Sequence, residues 1–229
     1  MIDITRNLEN VQSKVRTACE KSGRNFDEIT LVAVSKTQSP ASISALANLG
    51  VTNFGENRVQ EFLEKQPQIE HDLVWHMIGH LQTNKVKSII DKVALIHSAD
   101  SLRLIQEIDK QAKAREKIME ILVEINIAAE ESKFGIDPGE LPEFLTNIVG
   151  FSNVMVKGLM CIAPYVENPE ENRLYFRKMR QMFIDSKDIC ANNINMQYLS
   201  MGMTNDYEVA IEEGANMIRI GTAIFGARS

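Results

Sequence analysis

Short apolar runs alternate with amphipathic segments along most of the chain, which is the pattern of consecutive β/α units. The runs are aliphatic and rich in β-branched residues, so we interpret them as buried parallel strands. The eight predicted strands are residues 30–35, 51–55, 73–79, 93–98, 119–126, 154–160, 196–202 and 216–221. Segments with the three- and four-residue apolar spacing of helices lie between these runs.

Eight β/α units in about 200 residues predict a closed (β/α)8 barrel of the TIM type. An open, doubly wound sheet is the alternative. It is less favoured because no GxGxxG motif follows the first strand, and because eight strands would make a long open sheet. No stretch rich in Pro, Gly or Ser divides the sequence, so one barrel domain over residues 1–229 is expected.

An additional helix is predicted ahead of the first strand. Its apolar stripe recurs at helical spacing and consists of Ile4, Leu8, Val11, Val15, Ala18 and Cys19. Gly23 follows at the position where a left-handed glycine commonly ends a helix. After the last predicted strand, the segment TAIFGARS is too short for a full outer helix. We therefore expect the N-terminal helix to pack against the barrel and to cover part of the surface left bare there.

The composition is typical of a globular protein, with 44% hydrophobic and 24% charged residues among 229. The net charge of −6 and the scattered lysines and arginines argue against a nucleic-acid partner. The first residues lack the basic and apolar regions of a signal peptide, and no apolar run reaches the ~18 residues needed to cross a membrane. We expect a soluble, cytoplasmic protein with no membrane partner.

Neither the cysteines nor the histidines predict a metal site. Cys19, Cys161 and Cys190 are odd in number and far apart, which predicts buried thiols in a reducing cytoplasm. His76 and His80 are four residues apart, which on a helix is the spacing of a metal pair. They fall within and beyond a predicted strand, without further ligands close by, so no metal site is predicted.

Barrel proteins place their sites at the C-terminal ends of the strands, so the residues that end or follow the strands are the candidates. This criterion selects Lys36, Glu56, Asn57, His80, His97, Ser98, Asn126, Cys161, Ser200, Arg219, Gly221 and Thr222. Lys36 follows the apolar run LVAVS, and a solvated surface charge is the ordinary interpretation of such a lysine. In a partly enclosed mouth, however, desolvation disfavours the ammonium ion. An uncharged lysine amine can form an imine with an aldehyde.

The loops after the last two strands are rich in small residues that form hydrogen bonds. LSMGMTND contains Ser200, and Thr204 or Asn205 is the expected N-cap of the following helix. RIGTAIFG contains Gly221, which lets an anion approach the backbone, and the hydroxyl of Thr222. Barrels frequently build phosphate sites from these two loops, although the same residue types are common in ordinary turns. A lysine and a phosphate site at one mouth suit a phosphorylated aldehyde.

Motifs spread over the whole chain resemble the pyridoxal 5′-phosphate (PLP) homeostasis protein family. They are VAVSKTQS, FGENRVQE, WHMIGHLQTNKVK, ESKFGI, KGLMCIAP and LSMGMTNDYEVAIEEGANMIRIGTAIFG, in this order. The resemblance implies the barrel found in one domain of alanine racemase, with PLP as the cofactor. It also implies that Lys36 forms a Schiff base with PLP, that Arg219 faces the pyridine nitrogen and that Asn57 lies beside the ring. The residues implied to hold the phosphate are Ser200, Gly221 and Thr222, and those implied to border the mouth, without an assigned role, are His80 and Lys133.

The resemblance further implies a protein that keeps free PLP low while making it available to apo-enzymes, without a dedicated catalytic activity. We expect this small-molecule cofactor and apo PLP-dependent enzymes as partners, and a monomeric chain. Arg219 supports a non-catalytic role, because a permanently cationic guanidinium leaves the pyridine nitrogen unprotonated and makes the ring a poor electron sink.

A PLP-dependent amino-acid racemase is the main alternative. Racemisation needs a second acid or base on the other face of the cofactor, which racemases take from a second domain that one barrel domain does not supply. Of the four tyrosines, only Tyr165, just beyond the sixth predicted strand, stays a candidate for that role. A Schiff-base aldolase acting on phosphorylated sugars would share the lysine and the phosphate site. An interaction scaffold without a reaction is a third alternative.

Overall fold

Eight parallel strands close into a barrel in the computed structural model, which describes residues 3–130, 132–189 and 191–226. The strands, numbered β1 to β8 in chain order, are Thr30–Val34, Asn53–Glu56, Val74–Met77, Leu95–Ala99, Met119–Ile125, Val154–Cys161, Ile194–Ser200 and Met217–Ile220. Each strand pairs with the next, and β8 pairs with β1, with Ala33 opposite Ile220. The predicted (β/α)8 barrel is confirmed, and the pairing of β8 with β1 excludes the open sheet.

Helices connect the strands around the outside of the barrel. Numbered α1 to α9 in chain order, those in the described part of the chain are Ile4–Ser22, Pro40–Ala47, Val59–Lys65, Val86–Ile89, Leu102–Lys113, Leu141–Ile148, Arg173–Asp185, Tyr207–Glu212 and Thr222–Phe225. The segment 83–90, between the third and fourth strands, consists of a 3-10 turn, Thr83–Lys85, followed by the four-residue α4. The predicted alternation of strands and helices is therefore confirmed, with ends that differ by a few residues.

The N-terminal helix α1 begins and ends as its sequence predicts. The carboxylate of Asp3 accepts a hydrogen bond from the N–H of Arg6 at 3.0 Å and caps the first turn. Gly23 ends the helix with a φ of 66°, a left-handed conformation that glycine adopts without steric cost. All members of the predicted apolar stripe are buried or partly buried.

As expected, α1 packs beside the end of the chain, against α8 and α9. Asn7 Nδ2 donates to the carbonyl oxygen of Ile224 at 2.9 Å. The guanidinium of Arg24 donates to the carbonyl oxygen of Ile211 at 3.0 Å. Because α9 has only four residues, α1 covers the barrel surface that a longer final helix would occupy.

We expect Gly23→Ala to lower the free energy of unfolding by about 1 kcal/mol, because alanine is strained in the left-handed conformation. Urea denaturation followed by circular dichroism measures the change. Gly150→Ala is the matched control, since a Cβ at either glycine has no heavy atom within 4 Å but only Gly23 of the two has a positive φ. Equal stability of the two variants would contradict the role of Gly23 in ending α1.

Apolar side chains form a layer outside the strands and a smaller cluster inside them. The outer layer joins the strands to the helices and includes Phe54, Phe62 and Trp75. The inner cluster, with Tyr198 packed against it, consists of Val32, Leu95, Leu122, Met160 and Met217. Successive residues of a strand point to opposite faces, so the same strands supply both groups of side chains.

Two further features of the structure are the state of the cysteines and the length of the apolar helices. Cys19 and Cys161 are buried free thiols, as predicted, and Cys190 lies outside the described residues. Within the described ranges, no helix is long and apolar enough to span a bilayer.

Candidate functional site

Lys36 and the predicted phosphate loop line one pocket at the C-terminal end of the barrel. Lys36 is half-buried in the turn that follows β1. The residues that line the pocket are Val34, Lys36, Thr37, Gln38, Gly221, Thr222 and Gly226. The pairing of β1 with β8 produces this arrangement, because the loops that follow two adjacent parallel strands emerge at the same edge. The structure thus brings Lys36, Gly221 and Thr222 together.

Gly221 lies against Val34 in the wall of this pocket. A Cβ at this position would lie 3.4 Å from the Cβ of Val34, another residue of the pocket wall. The N–H of Ala223 donates to Oγ1 of Thr204 at 3.3 Å, so the loop after β7 contacts the turn that begins at Gly221. Thr204 is therefore the hydroxyl residue of LSMGMTND that lies beside the predicted phosphate loop.

The prediction that Thr204 or Asn205 caps the next helix is wrong. Asp206 occupies the N-cap position of α8. Its two carboxylate oxygens accept from the N–H of Met203 at 2.7 Å and from the side chain of Asn172 at 2.8 Å. Asp206 therefore organises this loop, and Thr204 bonds to α9 instead.

Arg219 is buried inside the barrel, on β8. Its guanidinium donates to Oγ of Ser200 at 2.6 Å and to the carbonyl oxygen of Cys161 at 2.8 Å. Burial lowers the pKa of Arg219, and the nearby carboxyl of Glu124 opposes this effect. The ordinary pKa of arginine is so high that the group stays charged. The barrel interior therefore contains a permanent cation.

Ser200 lies on the inner face of β7 and not in the lining of the Lys36 pocket. Its side chain is fully buried and bonded to Arg219 and, at 3.2 Å, to Nδ1 of His97. Since β4 and β7 are not neighbours, the bond between His97 and Ser200 crosses the barrel interior. The structure thus brings Ser200 to Arg219, and its contact with a phosphate stays a prediction.

A chain of hydrogen bonds continues from Ser200 through two buried histidines. His97 Nε2 lies 3.0 Å from His76 Nδ1, and His76 Nε2 lies 3.0 Å from Oδ1 of Asn53. Burial lowers the pKa of His76 to about 4 and the pKa of His97 well below its usual value. Both rings are therefore neutral near pH 7.

With both imidazole rings neutral, only one arrangement of protons satisfies all the hydrogen bonds between Asn53 and Ser200. The amide oxygen of Asn53 only accepts, so His76 carries its proton on Nε2 and accepts at Nδ1. His97 then donates from Nε2 and accepts at Nδ1, so Ser200 donates its hydroxyl proton to His97. The oxygen of Ser200 is left to accept from Arg219, which only donates. This arrangement of protons gives every hydrogen bond from Asn53 to Arg219 one donor and one acceptor.

Glu124 adds a titratable carboxyl to the same interior. It is 6% exposed and lines a pocket with Asn126 and Lys133. Burial raises the pKa of Glu124 to about 7, with repulsion from Asp100 adding to the rise and Arg219 opposing it. Near neutral pH the carboxyl is therefore divided between its neutral and charged forms.

We expect Glu124→Gln to be about 2 kcal/mol more stable than the wild type at pH 8, because the amide avoids the cost of burying a carboxylate. In the fold the pKa of this carboxyl lies at about 7, above the ordinary 4.5, so folding favours the protonated form. That contribution to stability is fully present below about pH 4.5 and is lost as the pH rises through about 7. The advantage of the variant should therefore shrink as the pH falls.

Urea denaturation at several pH values between 4.5 and 8 measures this difference. Glu120→Gln is the control, because Glu120 lies on the same strand but is partly exposed and pairs with Lys157 at 3.3 Å. A stability difference for Glu124→Gln that does not vary with pH would contradict the raised pKa.

Asn57 follows β2 and is held close to the end of β3 by a glycine. A Cβ at Gly79 would lie 2.4 Å from the carbonyl oxygen of Asn57, so a larger residue there would push the two segments apart. Oδ1 of Asn57 is buried and has no hydrogen-bond partner among the described residues. An unpaired buried acceptor is costly, and a ligand with a donor group would satisfy it. Asn57 lines a separate opening with His80 and does not line the pocket of Lys36.

The two residues implied to border the mouth lie near each other. His80 bonds to Asp100 at 3.0 Å, and its ring stacks on Phe134 with centroids 3.7 Å apart. Phe134 lines the same pocket as Lys133. No three His, Cys, Asp or Glu side chains are grouped to hold a metal ion in the part of the chain that the structure describes.

Comparisons with known proteins show which family has this sequence and fold. Residues 6–229 match the family of the alanine racemase N-terminal domain. A pyridoxal phosphate homeostasis protein of Aquifex aeolicus is 46% identical over 222 residues, which is 96% of each chain. The protein of the same name from Escherichia coli K12 is 37% identical over 233 residues, covering 100% of this chain and 98% of its relative. The chain belongs to the pyridoxal phosphate homeostasis protein family.

Solved structures agree with membership in the pyridoxal phosphate homeostasis protein family. PipY of Synechococcus elongatus PCC7942, solved with PLP bound, has a TM-score of 0.85 at 31% identity, over 98% of this chain and 100% of PipY. An alanine racemase of Clostridium difficile has a TM-score of 0.67 at 15% identity, over 99% of this chain and 57% of the racemase. The likeness to that racemase therefore concerns the fold alone. The family that the sequence resembles and the alanine-racemase-type barrel are thus confirmed.

Proposed function

We propose that this chain binds PLP, holds it as a Schiff base on Lys36 and serves PLP homeostasis in the cytoplasm, without a dedicated catalytic activity. The observation that carries the proposal is the pocket that Lys36 shares with Gly221 and Thr222. An amine and a small turn with a hydroxyl suit the aldehyde and the phosphate of one small molecule. Relatives named for PLP homeostasis and the PLP-bound structure of PipY support the choice of PLP.

The residues at the C-terminal end of the barrel fit PLP by their chemistry. Lys36 offers an amine for the aldehyde, and the turn at Thr222 offers a hydroxyl for the phosphate. Asn57 contributes a buried acceptor that has no partner among the described residues. Arg219 supplies a cation for the pyridine nitrogen. When bound, PLP supplies an aldehyde that reacts reversibly with an amine.

The predicted phosphate residues take two roles in this proposal. Gly221 and Thr222 contact the phosphate directly, since they line the pocket of Lys36. Ser200 acts through Arg219, because its hydroxyl accepts from the guanidinium and is fully buried. Thr204, bonded to the segment that follows Thr222, supports the phosphate turn.

Arg219 favours a binding role over a catalytic one. Its bonds to Ser200 and to the carbonyl oxygen of Cys161 hold a cationic donor in the barrel. A cation beside the pyridine nitrogen opposes protonation there, so the ring withdraws electrons weakly. Racemisation also needs a second acid or base, and Tyr165, the candidate for that role, is 87% exposed. The racemase alternative has correspondingly less support.

The proposal extends to a monomer that passes PLP to apo-enzymes. The pocket is lined by residues of one barrel, so a second copy is not needed to complete it. A reversible covalent bond together with a phosphate contact can supply an affinity near ~1 μM, which corresponds to about −8 kcal/mol. The same reversibility lets the amine of a recipient enzyme compete for the aldehyde.

Mass spectrometry after borohydride reduction tests the attachment. Reduction makes the bond between PLP and an amine permanent, so we expect the added mass on the peptide that contains Lys36 and a loss of the yellow absorbance. A label on Lys133, or one spread over surface lysines, would refute the assignment. Incubation with amino acids in deuterium oxide tests for racemisation, and α-deuterium exchange above the rate of free PLP would refute the absence of catalysis.

A further inference from the structure

The turn that carries Lys36 is held on both sides by a charge cluster, which consists of the buried Glu56 and Lys65 and the half-buried Glu61. Before Lys36, the hydroxyl of Ser35 donates to Glu56 Oε1 at 2.7 Å. The carbonyl oxygen of Ser35 accepts from Lys65 Nζ at 2.9 Å. After Lys36, the backbone N–H of Thr37 donates to the carboxylate of Glu61. Both peptide segments that flank Lys36 are therefore bonded to the same cluster.

Lys65 connects the members of the cluster. Its amine lies 3.2 Å from Glu56 Oε1 and also contacts the carboxylate of Glu61, four residues earlier on α3. Lys65 is 8% exposed and Glu56 is fully buried, so these interactions are little screened by solvent. Burial by itself raises the pKa of Glu61, but the hydrogen bonds from Lys65 and Thr37 outweigh it and lower the pKa. Glu61 is therefore an ionised partner for both donors.

The turn needs this support because its backbone is strained. Thr37 has a φ of 64°, which is unfavourable for a β-branched residue. Such a conformation persists only where surrounding contacts determine it. The bonds from Thr37 to Glu61 and from Lys65 to Ser35 are contacts of this kind.

We propose that Lys65 and Glu61 position Lys36 for its covalent bond to PLP. The proposal rests on the proposed function, because it assigns how the PLP-binding amine is presented. Lys65 and Glu61 act through the backbone of the turn and are positioning residues. Without them the strained turn relaxes and the side chain of Lys36 leaves the direction of the pocket. The phosphate turn belongs to the loop after β8, and Glu56, Glu61 and Lys65 do not line the pocket, so we expect the affinity for a phosphate to be largely kept.

The experiment compares PLP with pyridoxine 5′-phosphate, which lacks the aldehyde and forms no covalent bond with an amine. We expect Lys65→Met and Glu61→Ala each to weaken PLP binding by about tenfold. Their affinity for pyridoxine 5′-phosphate should change by less than about twofold, because the phosphate turn is intact. Calorimetry with the full chain measures both affinities.

Two matched controls accompany these variants. Glu64→Ala removes an exposed carboxylate from the same helix, α3. Lys117→Met removes a partly buried amine that donates to the carbonyl oxygen of Ile90 at 2.8 Å, at the opposite end of the barrel. Neither control should change the affinity for PLP or for pyridoxine 5′-phosphate.

A double-mutant comparison separates positioning from general damage. In the Lys36→Ala background, Lys65→Met should weaken PLP binding no further, because the amine that it positions is gone. An equal loss for both ligands, or a further loss in the Lys36→Ala background, overturns the proposal. Wild-type protein that carries no borohydride label on Lys36 refutes the proposed function instead, so the two failures are distinguishable.

Glu61→Ala tests the same positioning role if Lys65→Met does not fold. This variant leaves Lys65 bonded to Glu56 and to Ser35, and removes only the carboxylate that holds Thr37. Thermal unfolding establishes which variants are folded before binding is measured. A folded Glu61→Ala variant that binds PLP as tightly as the wild type overturns the proposed role of Glu61.

Discussion

Lys36→Ala is expected to bind PLP about 100-fold more weakly than the wild type, while its affinity for pyridoxine 5′-phosphate changes by less than about twofold. The variant loses the amine that bonds to the aldehyde. It keeps Gly221 and Thr222, which line the same pocket and bind the phosphate in the proposed function. The remaining affinity for PLP should therefore equal the affinity for the analogue.

Calorimetry and the absorbance of bound PLP check this expectation. Lys117→Ala is a suitable control, because Lys117 precedes β5 at the end of the barrel far from the pocket. An unchanged chromophore in Lys36→Ala would place the attachment on another lysine. Equal weakening of PLP and pyridoxine 5′-phosphate would mean that Lys36 contributes its charge and not a covalent bond.

Arg219→Glu is expected to lower the free energy of unfolding by about 4 kcal/mol. The change removes the donor that Ser200 and the carbonyl oxygen of Cys161 share, and both acceptors are buried. It also places a second carboxyl near Glu124, inside a barrel that loses a buried cation. Both effects favour the unfolded chain.

Urea denaturation measures this loss, with Arg103→Glu on the exposed face of α5 as the control. That control should stay within about 0.5 kcal/mol of the wild type. In the folded fraction of Arg219→Glu, the pyridine nitrogen of PLP should become protonated, which spectrophotometric titration detects. Wild-type stability would contradict the buried role of Arg219, and an unchanged titration would contradict its contact with the ring.

The sequence predicts the barrel and the edge on which the site lies, because both depend on local patterns. Runs such as LVAVS show where a strand ends, and barrel topology brings all strand ends to one mouth. Lys36, Gly221 and Thr222 follow β1 and β8, which closure makes neighbours, so their shared pocket agrees with that reasoning.

The sequence does not reveal which way the side chains of the site point. It also does not reveal which residues far apart in the sequence form hydrogen bonds with each other. Ser200 and Thr204 lie in one loop motif, and only the strand register shows that Ser200 faces the interior. His76 and His97 bond because β3 and β4 are adjacent and both side chains point inward, whereas the sequence leaves the direction of His76 open.

The charge cluster behind Lys36 is not predictable from the sequence for a different reason. Glu61 and Lys65 have the i, i+4 spacing of a helical ion pair, which ordinarily indicates a solvated surface. Lys65 is buried and Glu61 half-buried because α3 packs against the turn after β1, and no local pattern in the sequence specifies that packing. The motif FGENRVQE contains Glu56 and Glu61, and its spacing alone does not point to Lys36.

The packing of α1 against α8 and α9 has a consequence for synthesis on the ribosome. The apolar face of α1 meets its partners only after residues 207–225 have been translated, at least about ten seconds after α1 itself. During that interval β1 also lacks its pairing partner β8, so an unpaired strand edge and the apolar face of α1 are exposed together on the nascent chain. Ribosomes stalled before codon 207 should therefore carry chains that recruit chaperones, and release of the finished polypeptide should end that recruitment.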